Sequence, residues 1–167
     1  MTVKKFLFIL LFVSTYQFGF SQTNHVESYY IPAVNGTKLA IDVYFPKNHK
    51  NKKLPVLFEF TRYWRGKEDP NTGEPIASLI ERDKYFFDHD YILAKVDVRG
   101  TGASYGVRTG EYTPTEVKDA WYIVDWVVNQ PWSDGKVGAY GTSYSGTTAE
   151  LLCATQHPAI KAVIPGW

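Results

Sequence analysis

Cysteine is almost missing from this chain: Cys153 is the only one in 167 residues. One cysteine cannot close an internal disulfide, so the fold has to be held by its core, and Cys153 itself is expected to pack as a small apolar residue. An excess of charge is missing too, since 18 Lys plus Arg stand against 17 Asp plus Glu, for a formal net charge of +1. That balance offers no electrostatic footprint for nucleic acid or for an anionic membrane face, and it points to a small molecule or peptide as partner. No repeat or low-complexity tract breaks the sequence. The His and acidic residues lack metal-ligand spacing, and no cofactor motif is present; "GTGASYG" from Gly100 has the wrong spacing for a dinucleotide fingerprint and no helix directly after it. What remains, 44% hydrophobic and 21% charged residues, is the composition of one ordinary globular domain.

The first 21 residues differ from the rest. "MTVKKFLFILLFVSTYQFGFSQ" carries Lys4 and Lys5, an unbroken apolar run from Phe6 to Val13, then the small residues Gly19 and Ser21. This is the plan of a secretory signal peptide cut after Ser21, because a spanning helix needs about 20 apolar residues. A lipid-anchored mature end would need a cysteine at the cut, and Cys153 is far from it. The expectation is an exported protein, periplasmic or secreted, with residues 22–167 as a single domain and no membrane association after the signal is removed. Losing Lys4 and Lys5 takes the formal charge from +1 to −1.

From Gln22 onward the pattern changes along the chain. "HVESYYIP" and "KLAIDVYFP" alternate polar and apolar residues around Asn35-Gly36, a hairpin turn signal, and predict an antiparallel pair. "PVLFEF" and "YILAKVDV" are short apolar runs suited to burial on both faces of a parallel sheet. "IASLIERDKYFFDHD" between them fits a helix. In "TPTEVKDAWYIVDWVVNQ", Thr113 as N-cap, Pro114 in the first turn and Glu116 three residues on predict a capped helix with a capping box, and Val117, Trp121, Val124 and Val128 an apolar stripe. "PWSDG" would end it, "KVGAY" and "AIKAVIP" are further strands, and a helix joins them. Strands alternating with helices predict an α/β protein with a mostly parallel sheet, preceded by the hairpin.

"KVGAYGTSYSGTTAE" carries the chemistry. A strand runs into Ser143 and a helix follows, the setting in which a nucleophile is lifted above the carboxyl ends of the strands. Gly141 and Ser145 fill the places where only small residues fit. The usual second glycine of G-x-S-x-G is replaced by Ser145, with Gly146 one step later. The backbone N–H of Tyr144 opens the helix and would point at a developing oxyanion.

With these residues in view, "GTSYSG" resembles the elbow of the X-Pro dipeptidyl-peptidase and cocaine-esterase-like group of α/β-hydrolases, which also includes α-amino-acid ester hydrolases. "YILAKVDVRGTGASYG", "DAWYIVDWVVNQPWSDGKVG" and "TKLAIDVYFP" extend the likeness from about Ser28 to Trp167. The resemblance implies a serine hydrolase acting on acyl esters, amides or X-Pro peptides, and an α/β-hydrolase fold that is incomplete at its C-terminal side. It also implies that Tyr63 in "TRYW" supplies a second oxyanion donor, and a tyrosine just past a parallel strand lies where such sheets bind ligands. Asp97 and Arg99 are expected to form a structural ion pair. Trp167 would line an acyl pocket or simply pack.

A base for Ser143 is not evident. This fold takes its acid and then its histidine from beyond the serine. No Asp follows Ser143, Glu150 sits on the elbow helix, and His157 would be roughly 20 Å away at about 1.5 Å per residue. His89 precedes a strand, and His25 and His49 belong to the hairpin region. Two readings stay open: the N-terminal piece of a longer hydrolase, nearly inactive alone, or a non-catalytic binding module that keeps the cradle. "AIKAVIP", an exposed apolar edge strand, favours the first.

Overall fold

The computed structural model describes residues 25–166 apart from Glu74, Ala77 and Ser78; the expected leader at residues 1–21 and Trp167 lie outside that range. Strands β1 (His25–Pro32) and β2 (Lys38–Phe45) form the expected antiparallel hairpin. Its turn needs two left-handed residues, and Asn35 at φ 58 and Gly36 at φ 72 provide them. After it come β3 (Leu54–Thr61), the two-residue ribbon β4 (Lys67–Glu68) and β5 (Pro75–Ile76), α1 (Glu81–Asp88), β6 (Ile92–Asp97), α2 (Pro114–Val128), β7 (Ser133–Thr142), α3 (Tyr144–Ala154) and β8 (Ile160–Gly166).

Six strands make one sheet in the order β1-β2-β6-β3-β7-β8. The hairpin joins β6 antiparallel, while β6, β3, β7 and β8 run parallel. All four parallel strands therefore end at one edge, and Thr61, Asp97, Thr142 and Gly166 lie along it. Helices α2 and α3 cover one face, where Ala120, Ile123, Val124, Val127, Ala149 and Leu152 pack on Val56, Phe58, Val96 and Ala139. Full burial of each of the larger side chains contributes about 1.5–3 kcal/mol. Helix α1 covers the other face through Phe87, against Leu57, Leu93 and Tyr140.

Four local expectations need correction. Cys153, expected to pack as a small apolar residue, is exposed on α3. Strand β7 begins at Ser133, inside the expected "PWSDG" turn, because Ser133 pairs with Leu54 ahead of an irregularity in the ladder. The buried face of α2 is Glu116, Asp119, Ala120, Ile123, Val124 and Val127, turned from the predicted stripe; Val117, Trp121 and Val128 are only half-buried. The cause is polar, since Asp119 accepts from the Val34 amide at 3.0 Å and from Arg99, and Glu116 is bonded inward as described below. The capping box is correspondingly half present. Thr113 Oγ1 accepts from the Glu116 amide at 3.2 Å, but the Glu116 side chain is engaged elsewhere.

Candidate active site

Ser143 stands between the end of β7 and the start of α3, at φ 57 and ψ −122. An L-residue in that conformation is strained, and the surroundings enforce it. The Ser143 amide donates to Gly166 O at 2.8 Å, tying the turn to β8. A Cβ on Gly141 would lie 2.3 Å from the carbonyl carbon of Ser145, and one on Gly146 would lie 2.4 Å from Gly166 O. Neither glycine can carry a side chain without opening the turn. The result is an exposed Ser143 hydroxyl at the carboxyl edge of the sheet, with Tyr144 and Ser145 buried directly behind it.

Tyr63 lies two residues beyond the end of β3, and its hydroxyl is 3.2 Å from Ser143 Oγ. That hydrogen bond, and after it the neighbouring Arg62 guanidinium, lower the pKa of the Tyr63 phenol below its ordinary value of 10. A more acidic phenol is a better donor to an oxyanion, provided that it keeps its proton. The Tyr144 backbone N–H adds a smaller lowering of the same phenol.

Behind them the Tyr144 ring forms a floor. It stacks on Tyr112 at 4.8 Å, meets Tyr63 edge-on at 6.3 Å, and carries the Arg62 and Arg108 guanidinium groups at 5.2 and 5.3 Å. Its hydroxyl donates to the buried carboxylate of Glu116. Burial, then the Glu116 hydrogen bond, push the Tyr144 phenol far above its ordinary range, so it stays a donor. Desolvation raises the Glu116 carboxyl as well.

The expected Asp97–Arg99 pair does not form. Arg99 reaches down to α2 and binds Asp119, with Nε to Oδ2 at 2.9 Å and Nη2 to Oδ1 at 2.8 Å. Asp97 instead holds Arg65, a residue that no sequence motif singled out. Arg99 lies in the turn past the end of β6, where the alternation of the strand no longer sets its direction, so adjacency in sequence misassigned both partners. Glu116 was visible only as a helix cap; its inward hydrogen bond to Tyr144 spans elements far apart in the chain. The loop from Gly100 follows the carboxyl end of β6, and its tight turns place Gly100, Gly102 and Gly106 at positive φ.

The profile of the X-Pro dipeptidyl-peptidase (S15 family) matches residues 35–167. A candidate serine esterase of Mycobacterium bovis is 40% identical over 149 residues, covering 83% of this chain and 24% of that protein. Among solved structures, an α-amino acid ester hydrolase superposes with a TM-score of 0.71 at 31% identity, over 86% of this chain and 25% of its own. A CocE/NonD family hydrolase from Staphylococcus aureus gives a TM-score of 0.70 at 26% identity, over 84% and 27%. The chain thus spans about a quarter of the length of each.

Proposed function

The chain belongs to the X-Pro dipeptidyl-peptidase (S15) family of α/β-hydrolases, and from that membership and the elbow geometry we propose that it carries the nucleophile and oxyanion-binding half of a serine hydrolase site. The observation that carries the reading is a strained Ser143 whose hydroxyl stands 3.2 Å from the Tyr63 phenol. Ser143 Oγ adds to the carbonyl carbon of an ester, amide or X-Pro peptide bond while its proton passes to a base. The carbonyl electrons move onto oxygen, and that oxyanion accepts hydrogen bonds from the Tyr63 hydroxyl and the Tyr144 N–H. Collapse expels the alcohol or amine, which takes up the proton, and leaves an acyl ester on Ser143. Water, giving a proton to the same base, then adds to the ester carbonyl; collapse breaks the bond from Ser143 Oγ to the acyl group, Oγ takes the proton back from the base, and the acid leaves.

The base and its acid partner are proposed to lie outside the described residues. Among those residues no histidine is hydrogen-bonded to Ser143. His157 is buried at the far end of α3, where its Nδ1 accepts from the Ala159 amide at 3.1 Å. Export is proposed on the pattern of Lys4, Lys5 and the apolar run after them.

The test is labelling of the purified chain by a fluorophosphonate, beside Ser143→Ala. Without a base the serine is barely nucleophilic, so little labelling is expected of either. Strong labelling that disappears in Ser143→Ala would mean that the chain holds a working base.

A further inference from the structure

The phenol that faces Ser143 has little of its own to steady it. Tyr63 is 48% exposed, and its ring rests on Arg62 at 5.1 Å and on the Tyr144 ring. Where its hydroxyl stands therefore depends on the backbone at either side. On the N-terminal side, buried Thr61 accepts the Tyr63 amide on Oγ1 at 3.0 Å and the Val98 amide on its carbonyl at 2.9 Å. One exposed residue follows Tyr63, Trp64 in the left-handed region at φ 72.

Arg65, next along the chain, is bound at both backbone groups and at two points of its guanidinium. Its amide donates to Asp97 Oδ1 at 2.8 Å, and its carbonyl accepts from the Tyr44 hydroxyl at 3.2 Å. Nη1 donates to Asp97 Oδ2 at 2.7 Å and Nε to Asp42 Oδ1 at 2.9 Å. The two carboxylates are themselves fixed. Asp97 is fully buried and takes the Ala103 amide at 3.0 Å, while Asp42 takes the Ser28 hydroxyl at 2.6 Å. Gly102 exists as glycine at this point because a Cβ there would come within 2.2 Å of Asp97 Oδ2.

As a stabiliser this arrangement is poor. Two buried carboxylates share one guanidinium, and the desolvation of buried ions generally consumes the attraction between them. What such a knot supplies is fixed geometry. The geometry points to Arg65 as a positioning residue of the oxyanion site: its fork, locked between Asp42 and Asp97, sets where the Tyr63 hydroxyl stands over Ser143. The inference rests on the reading of Tyr63 as an oxyanion donor to a Ser143-bound intermediate.

The test follows the Tyr63 phenol by NMR in the whole chain labelled with carbon-13 at the tyrosine Cζ, with the signal assigned through Tyr63→Phe. Ser143→Ala is expected to move that signal and to raise its titration midpoint, because the hydrogen bond that lowers it is gone. Tyr29 and Tyr122, far from the elbow, report that the fold is intact. In an Arg65→Met background the shift caused by Ser143→Ala is expected to fall by about half or more, a coupling that a merely structural arginine would not show. Arg65→Lys keeps one charge without the fork and is expected to fall between. An undiminished shift in Arg65→Met overturns the inference. If Arg65→Met does not fold, Arg65→Lys decides, and a shift as large as in the unmodified chain overturns it there. Should Ser143→Ala leave Tyr63 unmoved in the unmodified chain, the Tyr63–Ser143 pairing fails, and the hydrolase site and this inference fail with it.

Discussion

Ser143 is held at φ 57 and ψ −122, where glycine would sit without strain. Such conformations cost about 1–3 kcal/mol for an L-residue. Ser143→Gly is therefore expected to raise stability by roughly 1 kcal/mol, read as a higher urea midpoint, and Ser143→Ala is expected not to. Equal midpoints for all three chains would mean that the turn is not strained as described. The position proposed for the nucleophile is in this sense chosen against stability, which is how functional positions differ from packing ones. Tyr63 belongs to the same scale. In a protein that carries this segment together with its base, Tyr63→Phe is expected to lower kcat by about 10²–10³ with KM little changed, since the donor acts on a charge present only in the transition state.

The elements show which of these features were legible in the sequence. The hairpin was, because Asn35 and Gly36 supply the required φ values locally, and so was the elbow, because a strand, small residues and a helix follow one another. The phase of α2 was not. Apolar periodicity placed Val117 and Trp121 on the core side, whereas the observed face is set by Glu116 and Asp119, whose partners Tyr144 and Arg99 belong to other elements. Arg65 was hidden for the same reason, since its carboxylates come from β2 and β6. The face of the sheet under α1 holds another such pairing, with Glu59 of β3 3.5 Å from Lys95 of β6, which also binds Asp83 of α1. Burial raises the Glu59 carboxyl in spite of that lysine. A raised acid favours the fold while protonated, so its contribution is complete below the ordinary carboxylate pKa and is lost as pH climbs through the raised value. Between about pH 4 and about pH 7 the unmodified chain should lose more stability than Glu59→Gln. Parallel stability curves for the two would show that Glu59 titrates normally. A steric prediction sits at the elbow itself. Gly141→Ala drives a Cβ into the Ser145 backbone and is expected to cost about 3 kcal/mol or more in a urea titration, because backbone cannot step aside as a side-chain tip can.

At the scale of the whole molecule, the sheet separates the proposed Ser143 site from the histidines. Tyr63 and Ser143 follow the carboxyl ends of β3 and β7, at one edge. All four histidines of the chain belong to the other. His25 opens β1 opposite Phe45, at the end of β2 that pairs near the start of β6, and His49 stacks on it at 5.6 Å. His89 follows α1 just before β6, and His157 precedes β8. A strand rises about 3.3 Å per residue, so a histidine at the wrong end of a six- to ten-residue strand is some 20 Å or more from Ser143, against the roughly 3 Å of a proton transfer. Any residual reaction of Ser143 with a fluorophosphonate should therefore be indifferent to these side chains. Replacing His25, His49 and His89 by Ala, and His157 by Asn so that an oxygen still accepts the Ala159 amide, is expected to leave the labelling rate within about twofold of the starting chain. A tenfold or larger fall on any one replacement, in a chain that remains folded, would place a base beside Ser143 and contradict the separation that the strand order imposes.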